Sequence, residues 1–412
     1  MLALVSRLKF TPTTLLGSYS GRGLLQFWRV PTKNGCEPEF EFGLSHEYGD
    51  LTSLEWCPSK PEGLLGLLAV GCSDGGVRLW SVPHLPQGQF YSREPDLSLS
   101  WGEEVGQCLD INWYRGPGHH YLAGSSSQGL VSVWHLATQS PLLRSGSSLL
   151  PVQTWLAHTA SVSSVSLCPG SLPEPRYCVT GGSDRCYKFW DLRDTSVPIQ
   201  EVKRGLVTGV DWVPGWCGAA VSYDDVYLQG HTQTMLAEAG YYNTKSHPVI
   251  SQNSAVTCLG VSQWLGCMAV CTAAGELILF VLPSMERSLE HDKNLAQRRV
   301  YVYRTEMTSR KNLSDAQVRQ FEAVKATHSL NYMDACLSKI GRLMCPPEEV
   351  RRVRLADSMD SEDLSHFPLA GLTALAWNNN PGHQTILASG GQAGLVRIHR
   401  LDCLANSMMQ ET

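Results

Sequence analysis

A glycine- or serine-rich turn followed by a short strand closing on an aromatic residue recurs along this chain. The clear copies run Gly17–Trp28, Gly71–Trp80, Gly124–Trp134 and Gly181–Trp190, and weaker ones run Ser222–His231, Cys271–Phe280 and Gly390–His399. Trp28, Trp80, Trp134 and Trp190 stand 52, 54 and 56 residues apart. Self-similarity at a fixed period means that one supersecondary unit is repeated and that stacking neighbours complete its core. These steps exceed the ~40–45 residues of a common four-stranded unit, so the connecting loops are predicted to be long.

Ahead of most copies lies a second run with apolar residues at every other position, the mark of a strand with one buried face. These runs are Ser53–Cys57, Leu109–Trp113, Ser164–Cys168, Thr208–Trp212, Thr257–Val261 and Thr373–Trp377, with Leu4–Phe10 placed in the same slot of the first unit. Each unit thus supplies an inner strand, a middle strand before the turn and a third strand ending on the aromatic. Fourth strands are predicted at Glu39–Gly43, Leu97–Trp101, Pro151–Leu156 and Ile199–Lys203. Seven such units predict an all-β fold, a seven-bladed β-propeller in which the small sheets share one ring. Thirty-seven glycines, 12 tryptophans and only 17% charged residues suit many short strands joined by tight turns. The reading begins at an inner strand and ends just past a third strand, which leaves the last blade without an outer strand. We expect a longer form of the chain to supply it.

The fourth unit carries residues that resemble the WD40 family. His158, Thr180, Asp184 and Trp190 stand where that family places a structural hydrogen-bonded tetrad, and Asp74 and Trp80 keep part of the pattern in the second unit. Along its whole length the chain also resembles the WD40 propeller subunits of transcription factor IIIC. The resemblance implies a non-catalytic scaffold in the nucleus that binds other protein subunits of that factor and meets DNA only through the complex. It implies service to RNA polymerase III at tRNA and similar genes, with no cofactor, no small-molecule substrate and no membrane. Another nuclear WD40 adaptor, such as a ubiquitin-ligase substrate receptor or a chromatin-peptide reader, is the alternative. Trp28, Trp80, Trp134 and Phe280 are read as blade-packing aromatics, since their regular place on strands favours core packing over a cage for methylated lysine.

The repeat lapses between Leu282 and Leu372. We therefore predict blades one to six over 1–282, a charged, partly helical insertion over 283–371, the last blade over 372–401 and a flexible tail over 402–412. Twenty-seven of the 89 residues in the insertion are charged. Ser314 and Gln317 suit a capping box, with Val318, Phe321 and Val324 as one apolar stripe. Leu330, Met333, Leu337, Ile340 and Met344 form a second stripe at helical spacing. Arg298, Arg299, Phe321, Arg351, Arg352 and Arg354 are candidates for docking a partner, and the mixed charge of the segment argues against nucleic acid.

Net charge is −5, from 33 basic and 38 acidic residues, a poor match to a phosphate backbone. No C-x-x-C pair, P-loop, H-E-x-x-H or G-x-G-x-x-G occurs. His119-His120 has no further ligands nearby in sequence, so neither a metal site nor a catalytic residue is assigned. Asp224-Asp225 and Glu103-Glu104 are read as solvated turn carboxylates. The 14 cysteines lie mostly in apolar strand-like runs and are expected as reduced, buried thiols of a soluble intracellular protein.

Overall fold

The computed structural model describes residues 2–6, 20–31, 37–102, 105–224, 234–240, 246–250, 254–282, 299–309, 328–334, 369–380 and 382–402. They form seven small antiparallel-based sheets in chain order. The first holds β1 (Leu2–Ser6), β2 (Gly23–Arg29) and β3 (Glu39–His46). The second is built from β4 (Leu51–Trp56), β5 (Leu64–Cys72) and β6 (Val77–Pro83); β7 (Gln89–Ser92) then leaves it and β8 (Leu97–Leu99) returns. The third contains β9 (Cys108–Trp113), β10 (Tyr121–Ser126) and β11 (Leu130–His135). Its connector carries β12 (Arg144–Ser145) and β13 (Ser148–Leu149) before β14 (Gln153–Leu156) completes it. The fourth is β15 (Val162–Leu167), β16 (Tyr177–Gly182), β17 (Cys186–Asp191) and β18 (Gln200–Lys203). The fifth is β19 (Val207–Trp212), β20 (Gly218–Tyr223), β21 (Thr234–Glu238) and β22 (Ser246–Ile250). The sixth runs β23 (Val256–Val261), β24 (Cys267–Thr272), β25 (Glu276–Val281), β26 (Arg299–Ser309) and β27 (His328–Asp334). The seventh shows β28 (Leu372–Trp377), β29 (Ile386–Gly391) and β30 (Val396–Arg400). These are seven blades of a β-propeller. The chain divides into two compact units, Met1–Trp212 and Val213–Thr412.

Why these segments become strands is plain from the sixth blade. Met268 and Val270 of β24, with Ile278 and Phe280 of β25, join a core with residues of the fifth blade, Leu236 and Val249 among them. The alternate residues Cys267, Ala269, Cys271, Leu277 and Leu279 join the opposite core with Leu372 and Leu387 of the seventh. A strand buried on both faces must be apolar at every position, hence the continuous runs of β24 and β25. The same rule builds the core between the first and second blades, between the second and third, and between the third and fourth.

Two connectors add strands to the blade before them. β7 pairs in parallel with β3, and β13 pairs in parallel with β8. Backbone groups on those outer edges, which would otherwise face solvent as sticky edges, are thereby paired.

Several expectations are corrected. The first strand is Leu2–Ser6, not Leu4–Phe10, and it sits in the middle position of its blade. Leu25 and Phe27 of β2, and Phe42 and Leu44 of β3, hold the core places that Val131, Val133, Trp155 and Ala157 hold in the third blade. Phe27 is fully buried there while Trp28, on the opposite face of β2, is half-buried. In the fifth unit the third strand is β21, beyond His231, which lies outside the described residues. Burial of Met235, Leu236 and Ala237 selects the strand there in place of an aromatic. The helical reading of the insertion fails where it is described. Arg299–Ser309 is the outer strand of the sixth blade, so that blade does not stop at Leu282; its Val300-Tyr-Val-Tyr303 run has strong strand character. Leu330 and Met333 lie on β27, paired along β26, with Tyr332 edge-on to Tyr303 at 5.7 Å. A three-four apolar spacing over a few residues does not outweigh an available strand edge. The capping-box segment and Phe321, Val324, Leu337, Ile340 and Met344 fall outside the described residues.

Candidate functional site

The four tetrad residues meet in the fourth blade. His158 follows β14 of the third blade, Thr180 lies on β16, Asp184 in the turn and Trp190 on β17. Trp190 Nε1 donates to Thr180 Oγ1 at 2.9 Å, and Thr180 Oγ1 lies 2.8 Å from His158 Nε2. His158 Nδ1 sits 2.9 Å from Asp184 Oδ1. Burial lowers the His158 pKa, so the ring is neutral near pH 7. The consistent proton order is then Trp N–H to Thr oxygen, Thr O–H to Nε2, and Nδ1–H to the carboxylate. Asp184 also accepts the amides of Thr159 and Cys186. Burial opposes its ionisation, but His158 and the two amides outweigh that and hold its pKa below the usual range. Every buried polar atom of the four is used.

Other blades rewire this circuit. Leu68 faces Trp80 across β5 and β6 as Cys178 faces Trp190, which puts Val70 in the place of Thr180. Without that hydroxyl, His46 Nε2 is buried with no partner among the described residues, and Trp80 Nε1 turns to the carbonyl of Arg93. Asp74 is taken instead by Arg78 at 2.6 Å. In the seventh blade Ser389 and His399 occupy the Thr180 and Trp190 places, 3.4 Å apart. Tyr303 of β26 supplies the third member, its hydroxyl 2.9 Å from Ser389 Oγ and its ring stacked on His399. Arg397 lies over the Tyr303 and Tyr332 rings and pairs with Asp334. His399 carries a pKa lowered to about 4 by burial and by Arg397.

A second set of polar ties was not anticipated from the sequence. Inner strands of successive blades run side by side without a backbone ladder, so side chains satisfy the backbone between them. Asp110 accepts from Ser53 Oγ at 3.0 Å on one side, and from Ser164 Oγ at 2.8 Å and the Val165 amide at 3.1 Å on the other. Asn112 accepts the Leu167 amide, and Ser166 links Asp211 to the Trp212 amide. Glu55 accepts the Trp113 amide and pairs with Arg115 at 3.2 Å. The signal was present as polar residues at alternate positions of the inner strands: Ser53 and Glu55, Asp110 and Asn112, Ser164 and Ser166.

Burial raises the Glu55 pKa to about 7, Arg115 and the Trp113 amide opposing and Asp110 and Asp211 adding to it. Because the folded value lies above the unfolded value of 4.5, the stability that proton binding contributes is complete below pH 4.5 and lost as pH rises through 7. Relative to Glu55→Gln, the wild type should therefore lose about 2–3 kcal/mol between pH 5 and 8. Urea unfolding of both proteins across that range measures it; parallel pH profiles would contradict the assignment.

Nothing in these arrangements pairs a nucleophile with a base. Among the described residues no group of three or more His, Cys, Asp or Glu side chains is placed to hold a metal ion. Burial pushes the Cys72 and Cys267 thiols up to about 12, which leaves them unreactive. Trp80, Trp134 and Phe280 are buried among apolar neighbours. Of the candidate docking residues, Arg299 opens β26 with its backbone opposite Phe280; Arg298, Phe321, Arg351, Arg352 and Arg354 lie outside the described residues.

Comparison with known proteins agrees with this geometry. The family model "WD domain, G-beta repeat" matches residues 149–191, the span that contains the complete tetrad. The chain is 30% identical over 446 aligned residues to General transcription factor 3C polypeptide 2 of Homo sapiens, covering 95% of this chain and 48% of that protein. It is 23% identical to Transcription factor tau subunit sfc6 of Schizosaccharomyces pombe, covering 98% of this chain and 61% of that one. The chain thus spans about half to three-fifths of the length of these relatives. A chain of the Mitotic Checkpoint Complex crystal structure superposes with a TM-score of 0.52 at 12% identity, covering 97% of this chain and 93% of that one, which shows the fold alone. On blade geometry, tetrad and sequence likeness together, the chain is a β-propeller that is similar to the WD40 family over residues 149–191 and, over 95% of its length, to General transcription factor 3C polypeptide 2.

Proposed function

We propose that this chain is a non-catalytic scaffold subunit of transcription factor IIIC, acting in the nucleus in RNA polymerase III transcription of tRNA and similar genes. The likeness to a general transcription factor 3C subunit over 95% of the chain carries the proposal. The physical character of the blades supports it. Strands buried on both faces make a stiff body, and stiff surfaces bind partners through a few buried anchors with little ordering cost. Its partners would be other protein subunits of the factor. With a net charge of −5, DNA would be met through the complex.

The test is affinity purification of the tagged chain from nuclear extract, expected to recover the other factor IIIC subunits in stoichiometric amounts. Recovery of the chain without them would end the proposal. In a salt-titrated assay the isolated chain should bind tRNA-gene duplex no better than random duplex; tight, steeply salt-dependent binding would place DNA recognition in this chain itself.

A further inference from the structure

Outer edges of three blades are closed by the chain's own strands: β7 on β3, β13 on β8 and β27 on β26. The first two closures follow one rule, in which the connector between third and fourth strands of the next blade reaches back to cap its predecessor. That rule stops at the third blade. The fourth blade's connector, residues 192–199, forms no strand: the Asp191–Asp194 bridge and the Asp194–Ser196 hydrogen bond turn it, and it meets β14 through side chains, Gln153 Nε2 donating to Thr195 Oγ1 at 3.1 Å. Among the described residues no strand pairs with the outer edge of β14.

Sheets guard such edges with charge or proline. β18 presents exposed Glu201 and Lys203, β22 contains Pro248, and β30 carries Arg397 and Arg400. β14 reads Gln153-Thr-Trp-Leu156 and has none of these. Between His135 and Glu174 the sole Lys, Arg, Asp or Glu is Arg144. Apolar side chains stand exposed along the same stretch, with Val152 at 45% and Leu156 at 64%.

We propose that the outer edge of β14 receives a short, uncharged β-strand from a partner protein. Charge complementarity selects that occupant. A neutral edge offers no counter-charge to nucleic acid or to an acidic or basic peptide, whereas backbone pairing plus apolar contact suits an uncharged strand. The molecule itself shows the chemistry it accepts at such edges: Gln89-Phe-Tyr-Ser92 on β3 and Ser148-Leu149 on β8, both parallel and both uncharged. This surface deepens the scaffold reading above, and its test uses a defined peptide, so that failure here leaves the subunit recovery experiment untouched.

The probe is a fluorescein-labelled peptide of sequence Pro86–Ser92 added to the full chain and followed by anisotropy, with amide hydrogen exchange read by mass spectrometry. Saturable binding is expected, with slowed exchange at 153–156. Val152→Lys combined with Leu156→Lys should weaken binding at least tenfold, while Leu172→Lys, at an exposed site between β15 and β16, should not. Both side chains point to solvent, so thermal unfolding should be unchanged and a folding defect distinguishable. Absence of saturable binding, or binding that the Val152→Lys/Leu156→Lys chain retains, overturns the proposal. So does concentration-dependent dimerisation abolished by the same pair, since it would make a second copy the occupant.

Discussion

Asp184→Ala should lower the apparent unfolding free energy by about 3 kcal/mol, well beyond the effect of an ordinary surface carboxylate. The carboxylate accepts His158 Nδ1–H and two backbone amides. Its removal leaves a buried ring donor stranded in a low-dielectric interior, where an unmade hydrogen bond costs its full desolvation. Thr180→Val keeps the shape and should cost less, about 1–2 kcal/mol. The second blade already tolerates that state, since Val70 stands in the equivalent place and leaves His46 Nε2 without a partner among the described residues. Urea titration followed by tryptophan fluorescence compares the two variants. If Asp184→Ala proved no more costly than Thr180→Val, the tetrad would be a packing arrangement with little electrostatic content.

Gly129→Ala should be at least as damaging, at about 4 kcal/mol, with a sharp fall in soluble yield. Gly129 closes the hairpin between β10 and β11 with φ of +90°, and a Cβ there would lie 2.2 Å from the His158 carbonyl oxygen and 2.9 Å from that of Ala160. Both obstacles are backbone and cannot swing aside. Its own carbonyl accepts the amides of Ala157 and His158, so this turn pins the end of β14 and the tetrad histidine together. Gly146 is the control, with φ of +59° and nothing within 4 Å of an added Cβ. Gly146→Ala should cost about 1 kcal/mol, the dihedral term alone. Equal melting temperatures for the two variants would show that the close backbone approach does not matter.

The tetrad was legible in the sequence through resemblance alone, since His158, Thr180, Asp184 and Trp190 stand where the WD40 family places it. Its rewired versions were only partly legible. Asp74 and Trp80 could be recognised, but the dependence of His46 on the residue at Val70 emerges from register. At Leu330 and Met333 the helical expectation gives way to a strand, because two apolar residues three apart do not define a helix face over so short a span. Val300 to Tyr303, half-buried or buried beside β25, point to the strand once the neighbouring edge is known.

The sequence alone determined most of the blades: alternation with period two, turns at glycine and serine, and an aromatic closing most third strands are local signals within tens of residues. Tertiary structure alone decided what ties one blade to the next. Asp110 reaches Ser53 and Ser164, 57 and 54 positions away, and β7 caps a strand some 46 residues earlier. Tyr303 completes a circuit with Ser389, 86 positions on. Such partners share no local pattern, because what selects them is a backbone amide or a buried hydroxyl that folding leaves without water, and only the assembled blades bring those groups together.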